Sequence, residues 1–322
     1  MNITRHISNE TQLDSAGELV HLLGLQGLSK KHLEHILDVA DSLLDNKGSL
    51  KKSRALNGMS VANLFFEPST RTRNTFEIAA KRTSAKVINV DLENSATKKN
   101  ESLLDTMSTL KAMQINMFVI RHRQNGLVHR IAQNIKNVAI LNAGDGTNAH
   151  PTQALLDMLT IRQHKKIFKN LKVAIVGDIK HSRVAHSNVC ALKTLGTTDI
   201  RLIAPIGLQC DADEYPEANY FSDIQKGIKN CDVIIVLRLQ KERMLEADIP
   251  NEQKYFDSFG LTLSRLTLAK PDVIVMHPGP INRDVEISSE VADGKHSVIL
   301  QQVRNGIAVR MAVMQILAKR YL

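Results

Sequence analysis

Eight apolar runs recur along the 322-residue chain: VANLFF, KVINVDL, INMFVIRH, NVAILNAG, KVAIVGDI, DIRLIAP, DVIIVLR and DVIVMHPGP. They are apolar at nearly every position rather than at every second one, so each needs cover on both faces, which a parallel sheet obtains from helices. Segments of helical period lie between them. ESLLDTMSTLKAM carries Leu103, Met107 and Leu110 on one face, and LVHRIAQNI and SRVAHSNVCALKTLG behave alike. This alternation predicts an α/β protein of parallel sheets flanked by helices. The length is about twice that of a common domain, so two domains joined by connecting helices are expected. The boundary falls in or just after HPTQALLDMLTIRQHKK, whose basic end precedes a fresh strand at Leu171. The first domain is placed at residues 1–150 and the second at 151–303. The final stretch, NGIAVRMAVMQILAKRYL, is too apolar to lie alone, and a helix over about 304–322 is expected to pack back on the first domain.

One strand-to-helix junction is chemically distinctive. VANLFF is followed by EPSTRTRNTFEIAAKR, with Phe76, Ala79, Ala80 and Thr83 on a helical face. Pro68 suits a helix entry, where a missing N–H costs nothing, and the amides after it are free to face an anion. Ser69, Thr70 and Thr72 add hydroxyls there, and Arg71 and Arg73 add guanidinium forks suited to phosphate oxygens.

Ligands of open α/β sheets gather at the carboxyl ends of strands, and the residues in those places are strongly polar here. After INMFVI come Arg121, His122 and Arg123; after NVAILNAG come Asp145, Asn148, His150 and Gln153. The later runs end in Lys180, His181, Ser182 and Arg183, in Arg238 and Gln240, and in His277-Pro278-Gly279-Pro280. Singly, each has an ordinary structural reading. Converging, so many cations and amides point to a polyanionic substrate.

The formal charge of +9 also favours anionic partners. Nucleic acid is disfavoured, because aromatics are 4% with no Trp and no stacking motif occurs. Cys190, Cys210 and Cys231 match neither a metal knuckle nor a redox pair. The polar start lacks the apolar core of a signal peptide, and no run reaches the ~18 apolar residues of a membrane span. A reducing cytoplasm is the expected home. VAIVGDI has only Gly177 where a dinucleotide fingerprint needs three glycines, which argues against a nicotinamide dehydrogenase. Phosphate-loop, serine-elbow and zinc-helix motifs are absent as well.

Together, FFEPSTRTRNTFE, RHRQNG, NAGDGTNAHPTQALLD, VGDIKHSRVAHS, LRLQKER and HPGPINRDVEI closely resemble the catalytic chains of the aspartate carbamoyltransferase family, from about Leu22 to the C-terminus. The resemblance implies transfer of a carbamoyl group from carbamoyl phosphate to the amino group of L-aspartate in pyrimidine synthesis, without metal or organic cofactor. It implies that Ser69, Thr70, Arg71 and Thr72 hold the phosphate, while Arg121, His150 and Gln153 reach the carbamoyl group. Attack by the amine puts negative charge on the carbamoyl oxygen, where donors from Thr72, Arg121 and His150 would stabilise it. No protein base stands out, and the departing phosphate can take the amine's proton. Arg183, Arg238 and Gln240 would grip aspartate's carboxylates, with the backbone of Pro278, Gly279 and Pro280 closing on its amino group. Ser95 and Lys99, in NSATKKNES, match a loop that enters the neighbouring subunit's site, which implies a homotrimer with shared sites. Glu67 would pair with Arg183 and Arg243 on domain closure. A regulatory chain or a dihydroorotase partner is compatible with the resemblance.

Two positions depart from the family pattern: Asn100 often stands as Gly, and Arg123 as Pro. Asn tolerates positive φ, so the loop can keep its path, whereas Arg123 adds a cation near the site. The alternative reading is an ornithine carbamoyltransferase, which shares the STRT and HPTQ elements. It is opposed by HPGP in place of HCLP and by the lack of an SMG loop.

Overall fold

The computed structural model describes residues 9–90, 102–241 and 251–321. The chain divides into two compact units, Met1–Leu156 with Asn305–Leu322, and Asp157–Arg304. In the first, β1 (Ser60–Phe65), β2 (Lys86–Val90), β3 (Met117–His122) and β4 (Ala139–Asp145) form a parallel sheet in the order β2-β1-β3-β4. Every position of β4 is buried, as a strand covered on both faces requires. The helix Leu103–Ala112 starts where Ser102 Oγ accepts the Asp105 amide N–H at 3.1 Å, satisfying one otherwise free donor. It buries Met107 fully in a cluster that includes Phe118 and Ile120, and Leu103 and Leu110 pack against the same cluster. The edge strand β2 differs: none of its positions is buried, and Ile88 is 45% exposed.

In the second unit, β5 (Lys172–Val176), β6 (Asp199–Ile203), β7 (Asn219–Phe221), β8 (Val233–Val236) and β9 (Ile274–Met276) form a parallel sheet in the order β7-β6-β5-β8-β9. The apolar runs do not predict β7. An edge strand three residues long needs no two-sided apolar run, and Asn-Tyr-Phe shows none.

Both strand orders contain a point where the connections leave in opposite directions, between β1 and β3 in one sheet and between β5 and β8 in the other. A crevice opens outside the carboxyl ends of such a strand pair. The crossing at β5 is tight. Gly177 has φ +130°, and a Cβ there would lie 3.0 Å from both Leu237 Cβ and the Leu237 carbonyl oxygen. Gly177→Ala is therefore expected to cost ~1–3 kcal/mol, read as a lowered midpoint in thermal unfolding. An unchanged midpoint would show that β5 and the β8 extension have room to part.

The last long helix, Ile299–Ala318, belongs from Asn305 onward to the first unit. There the Arg310 guanidinium lies 4.8 Å above the Phe76 ring, beneath the helix that follows β1. Burial lowers it to about 10, so it remains cationic at neutral pH. Gly306 makes the room, since a Cβ there would come within 2.7 Å of Arg310 Nη1.

Candidate active site

At the switch point of the first sheet, β1 ends at Phe65 and the helix Thr70–Arg82 begins four residues after Phe66. Pro68 lies one residue outside the N-cap rather than in the first turn. The N-cap is Ser69, whose hydroxyl makes no capping bond to the helix. Its side chain and the first amides are thus not spent on each other, and the N-terminal partial charge of the helix faces outward. Thr72 is half-buried beside them and Arg71 is exposed. Phe76, Ala79, Ala80 and Thr83 are all fully buried, which fixes the helix against the sheet.

Arg121 reaches this place from β3 through a local irregularity. The pairing of β3 with β4 runs Ile120↔Asn142 and then Arg121↔Gly144, so Ala143 is an extra residue. A bulge of this kind re-aims the neighbouring side chain. The Arg121 carbonyl accepts the Phe66 amide at 2.9 Å, tying the two strand ends together. Its guanidinium Nη1 donates to the Ala143 carbonyl at 3.4 Å. Its Nε stands 2.6 Å from Glu67 Oε1, both side chains being less than one-fifth exposed. The Nε–H itself does not point along that contact, and the two groups attract by charge. Glu67 thus meets Arg121 within its own unit, while Arg243, one of the two arginines it is expected to pair with on closure, lies outside the described residues.

Next along the sheet edge, β4 runs out through Asp145, whose carboxylate accepts the Gly126 amide and the Asn148 side chain, both at 3.0 Å. Gly146 allows the turn, because a Cβ there would collide with Asn125 Oδ1. His150 then precedes the helix Pro151–Lys165, and His150 and Gln153 are buried at its start. The fold therefore brings Ser69, Thr70, Arg71, Thr72, Arg121, His150 and Gln153 to one edge of one sheet. His122 accepts the Gln124 amide at Nδ1, and burial followed by the Arg123 charge holds its imidazole below the usual histidine range. Arg123 itself is exposed.

In the second unit, the carboxyl ends of β5 and β8 carry the other set. Ser182 Oγ caps the helix Arg183–Leu195 by accepting the Ala185 amide at 3.2 Å, and Arg183 is buried in its first turn. Beyond β8 the chain stays extended, with Leu237 and Leu239 1% exposed and Arg238 and Gln240 half-buried on the alternate side. Period two thus puts both polar groups on one face. Pro278 and Gly279 are half-buried and Pro280 is exposed, just beyond β9, with a cis peptide between Gly279 and Pro280.

Ser95, Lys99, Asn100 and Arg243 lie outside the described residues. Sequence reasoning passed over Asp178, which is fully buried and accepts both the His181 amide at 3.1 Å and its Nδ1–H at 3.0 Å. The available signal was a lone carboxylate directly after the apolar run VAIVG. Among the described residues, no three His, Cys, Asp or Glu side chains are grouped to hold a metal ion, and no helix is long and apolar enough to cross a membrane. Burial pushes the free thiols of Cys190, Cys210 and Cys231 up to about 11, leaving them unreactive at neutral pH.

Two family models match the chain, the carbamoyl-phosphate-binding domain of aspartate/ornithine carbamoyltransferases over residues 20–163 and their Asp/Orn-binding domain over residues 169–317. The chain belongs to the aspartate/ornithine carbamoyltransferase family. Within it, a relative from Ruthia magnifica named aspartate carbamoyltransferase catalytic subunit is 74% identical over 98% of each chain. The structure of the Trypanosoma cruzi aspartate transcarbamoylase, in complex with carbamoyl phosphate and aspartate, superposes with a TM-score of 0.84 at 29% identity, covering 95% of this chain and 99% of that one. The Pyrococcus furiosus ornithine carbamoyltransferase reaches 0.83 at 28% identity, covering 93% and 97%. Backbone shape is therefore shared by both branches of the family and does not separate them. Identity with the aspartate branch does.

Proposed function

We propose that this chain transfers the carbamoyl group of carbamoyl phosphate to the amino group of L-aspartate, giving N-carbamoyl-L-aspartate and phosphate for pyrimidine synthesis. The observation that carries the reading is the uncapped helix start at Ser69, with Arg121 at the neighbouring strand end, tied to Phe66 through its carbonyl and to Glu67 through its guanidinium. An outward-facing helix N-terminus suits the phosphate, and Arg121 supplies a cation where charge develops on the carbamoyl oxygen. Thr72 and His150, at the same end of the sheet, would share that task, and Gln153 would meet the carbamoyl amide. Arg183, Arg238 and Gln240 suit two carboxylates, and the two guanidinium groups would repel the side-chain ammonium of ornithine.

The deciding experiment is a product assay with purified chain and carbamoyl phosphate, offering aspartate or ornithine at equal concentration. Carbamoyl-aspartate is the expected product, by a margin of at least ~10³ given a like-charge clash of several kcal/mol. Comparable rates with ornithine would overturn the reading.

We also propose a homotrimer, with Ser95 and Lys99 entering a neighbour's site and Lys99 assisting aspartate binding and catalysis there. Exposed Ile88 on the edge strand β2, whose positions are all unburied, supports an association surface there. Sedimentation as a single chain at micromolar concentration would remove this proposal. The inert thiols are compatible with a reducing cytoplasm, which localisation of a tagged chain would test.

A further inference from the structure

Beyond β9, the segment from His277 to Asn282 is held at both ends by one buried imidazole–carboxylate pair. The His277 and Glu286 side chains are both 0% exposed. The Gly279 amide donates to His277 Nδ1 at 2.7 Å, so that nitrogen carries no proton. The proton is therefore on Nε2, which donates to Glu286 Oε1 at 3.1 Å. The same oxygen accepts the Asn282 amide at 2.6 Å. The strand end is anchored in turn, as the His277 amide donates to Gln302 Oε1 at 2.9 Å and Gln302 donates to Asp157 at 2.8 Å. Asp157 also accepts from Asn188, at 2.9 Å.

This arrangement has a directional consequence. In a planar trans peptide the N–H and C=O lie on opposite edges. With the Gly279 N–H turned inward onto the ring, the carbonyl of Pro278, in the same peptide unit, is turned away from it. Pro278 and Gly279 are half-buried while their anchors are sealed inside, so the carbonyl points away from a rigid backing. We propose that His277 and Glu286 are positioning residues that aim the Pro278 carbonyl at the amino group to be carbamoylated. This rests on the reading that the 278–280 backbone closes on aspartate. Neither side chain touches substrate. Glu286 keeps the imidazole in the Nε2–H form, and that form alone leaves Nδ1 able to accept the Gly279 N–H.

The test compares the full-length parent with Glu286→Ala and Glu286→Gln. In Glu286→Ala the aspartate KM should rise ~10–100-fold, the loss expected of a misaimed contact, with the carbamoyl phosphate Kd from calorimetry unchanged. Glu286→Gln keeps an oxygen able to accept from both donors and should return the aspartate KM to within ~3-fold of the parent. A change that falls on both substrates alike would overturn the assignment. Should Glu286→Ala fail to fold, nitrogen NMR of the parent decides: an unprotonated Nδ1 at His277 supports the proposal, and a protonated one overturns it. If the parent itself makes no carbamoyl-aspartate, the functional reading falls first, and this proposal with it.

Discussion

Arg121→Ala is expected to lower kcat by ~10²–10³, the loss that follows removal of one donor from a developing oxyanion. Carbamoyl phosphate binding should weaken less, because the helix start at Ser69 and Thr70 keeps its amides. One complication is local. The Arg121 Nε is 2.6 Å from Glu67 Oε1, so the substitution also removes a cation from beside a poorly exposed carboxylate, next to the place where phosphate should sit. An uncompensated charge there would repel the substrate and mimic a lost contact. The double variant Arg121→Ala/Glu67→Gln separates the two effects, since it removes donor and stranded charge together. Phosphate binding should recover in the double variant and turnover should not. Full recovery of turnover would mean that Arg121 serves only to neutralise Glu67, and its role at the carbamoyl oxygen would have to be abandoned.

Much of this arrangement was legible before the structure, and the reasons are specific. Parallel strands covered on both faces are apolar nearly throughout, so seven of the nine strands among the described residues announce themselves as apolar runs, each followed at once by its polar end, and the exposed edge strand β2 does so through Val87, Ile88 and Val90. The helix faces at Phe76, Ala79 and Ala80 and at Leu103, Met107 and Leu110 follow from period alone. What escaped lacks a local signature. β7 is an edge strand of three residues. The bulge at Ala143 depends on register between two strands, which no single run encodes. The contact of Glu67 with Arg121 joins residues 54 positions apart (121 − 67) through strand pairing. The pair of His277 and Glu286 was hidden for a different reason, since HPGP draws attention to its own prolines and glycine, whereas its anchor lies nine residues on, in a polar stretch.

Arg238→Ala should have an effect of similar size on the other substrate. Leu237 and Leu239 fasten the extended segment from within, and Arg238 and Gln240 stand together on its other side. The substitution therefore removes a guanidinium while Leu237 and Leu239 keep their buried places on either side of it. Truncating one partner of a desolvated charge pair costs ~2–5 kcal/mol. In kcat/KM for aspartate that is a fall of roughly 30-fold to several thousand-fold, at 1.4 kcal/mol for each factor of ten. Carbamoyl phosphate binding should stay within ~2-fold of the parent, because that ligand is assigned to residues of the other unit. Arg238→Lys should recover only part of the loss, since a lysine offers a point charge where a carboxylate is best met by two parallel N–H groups. Full rescue by lysine would argue that charge alone matters at this position. Equal damage to both substrates would remove Arg238 from the aspartate half altogether. The same comparison with Gln240→Ala, which deletes no charge, should give a smaller loss of ~0.5–1.5 kcal/mol. If instead Gln240 proves the more costly of the two, specificity for aspartate rests on amide recognition at this strand end rather than on cationic attraction.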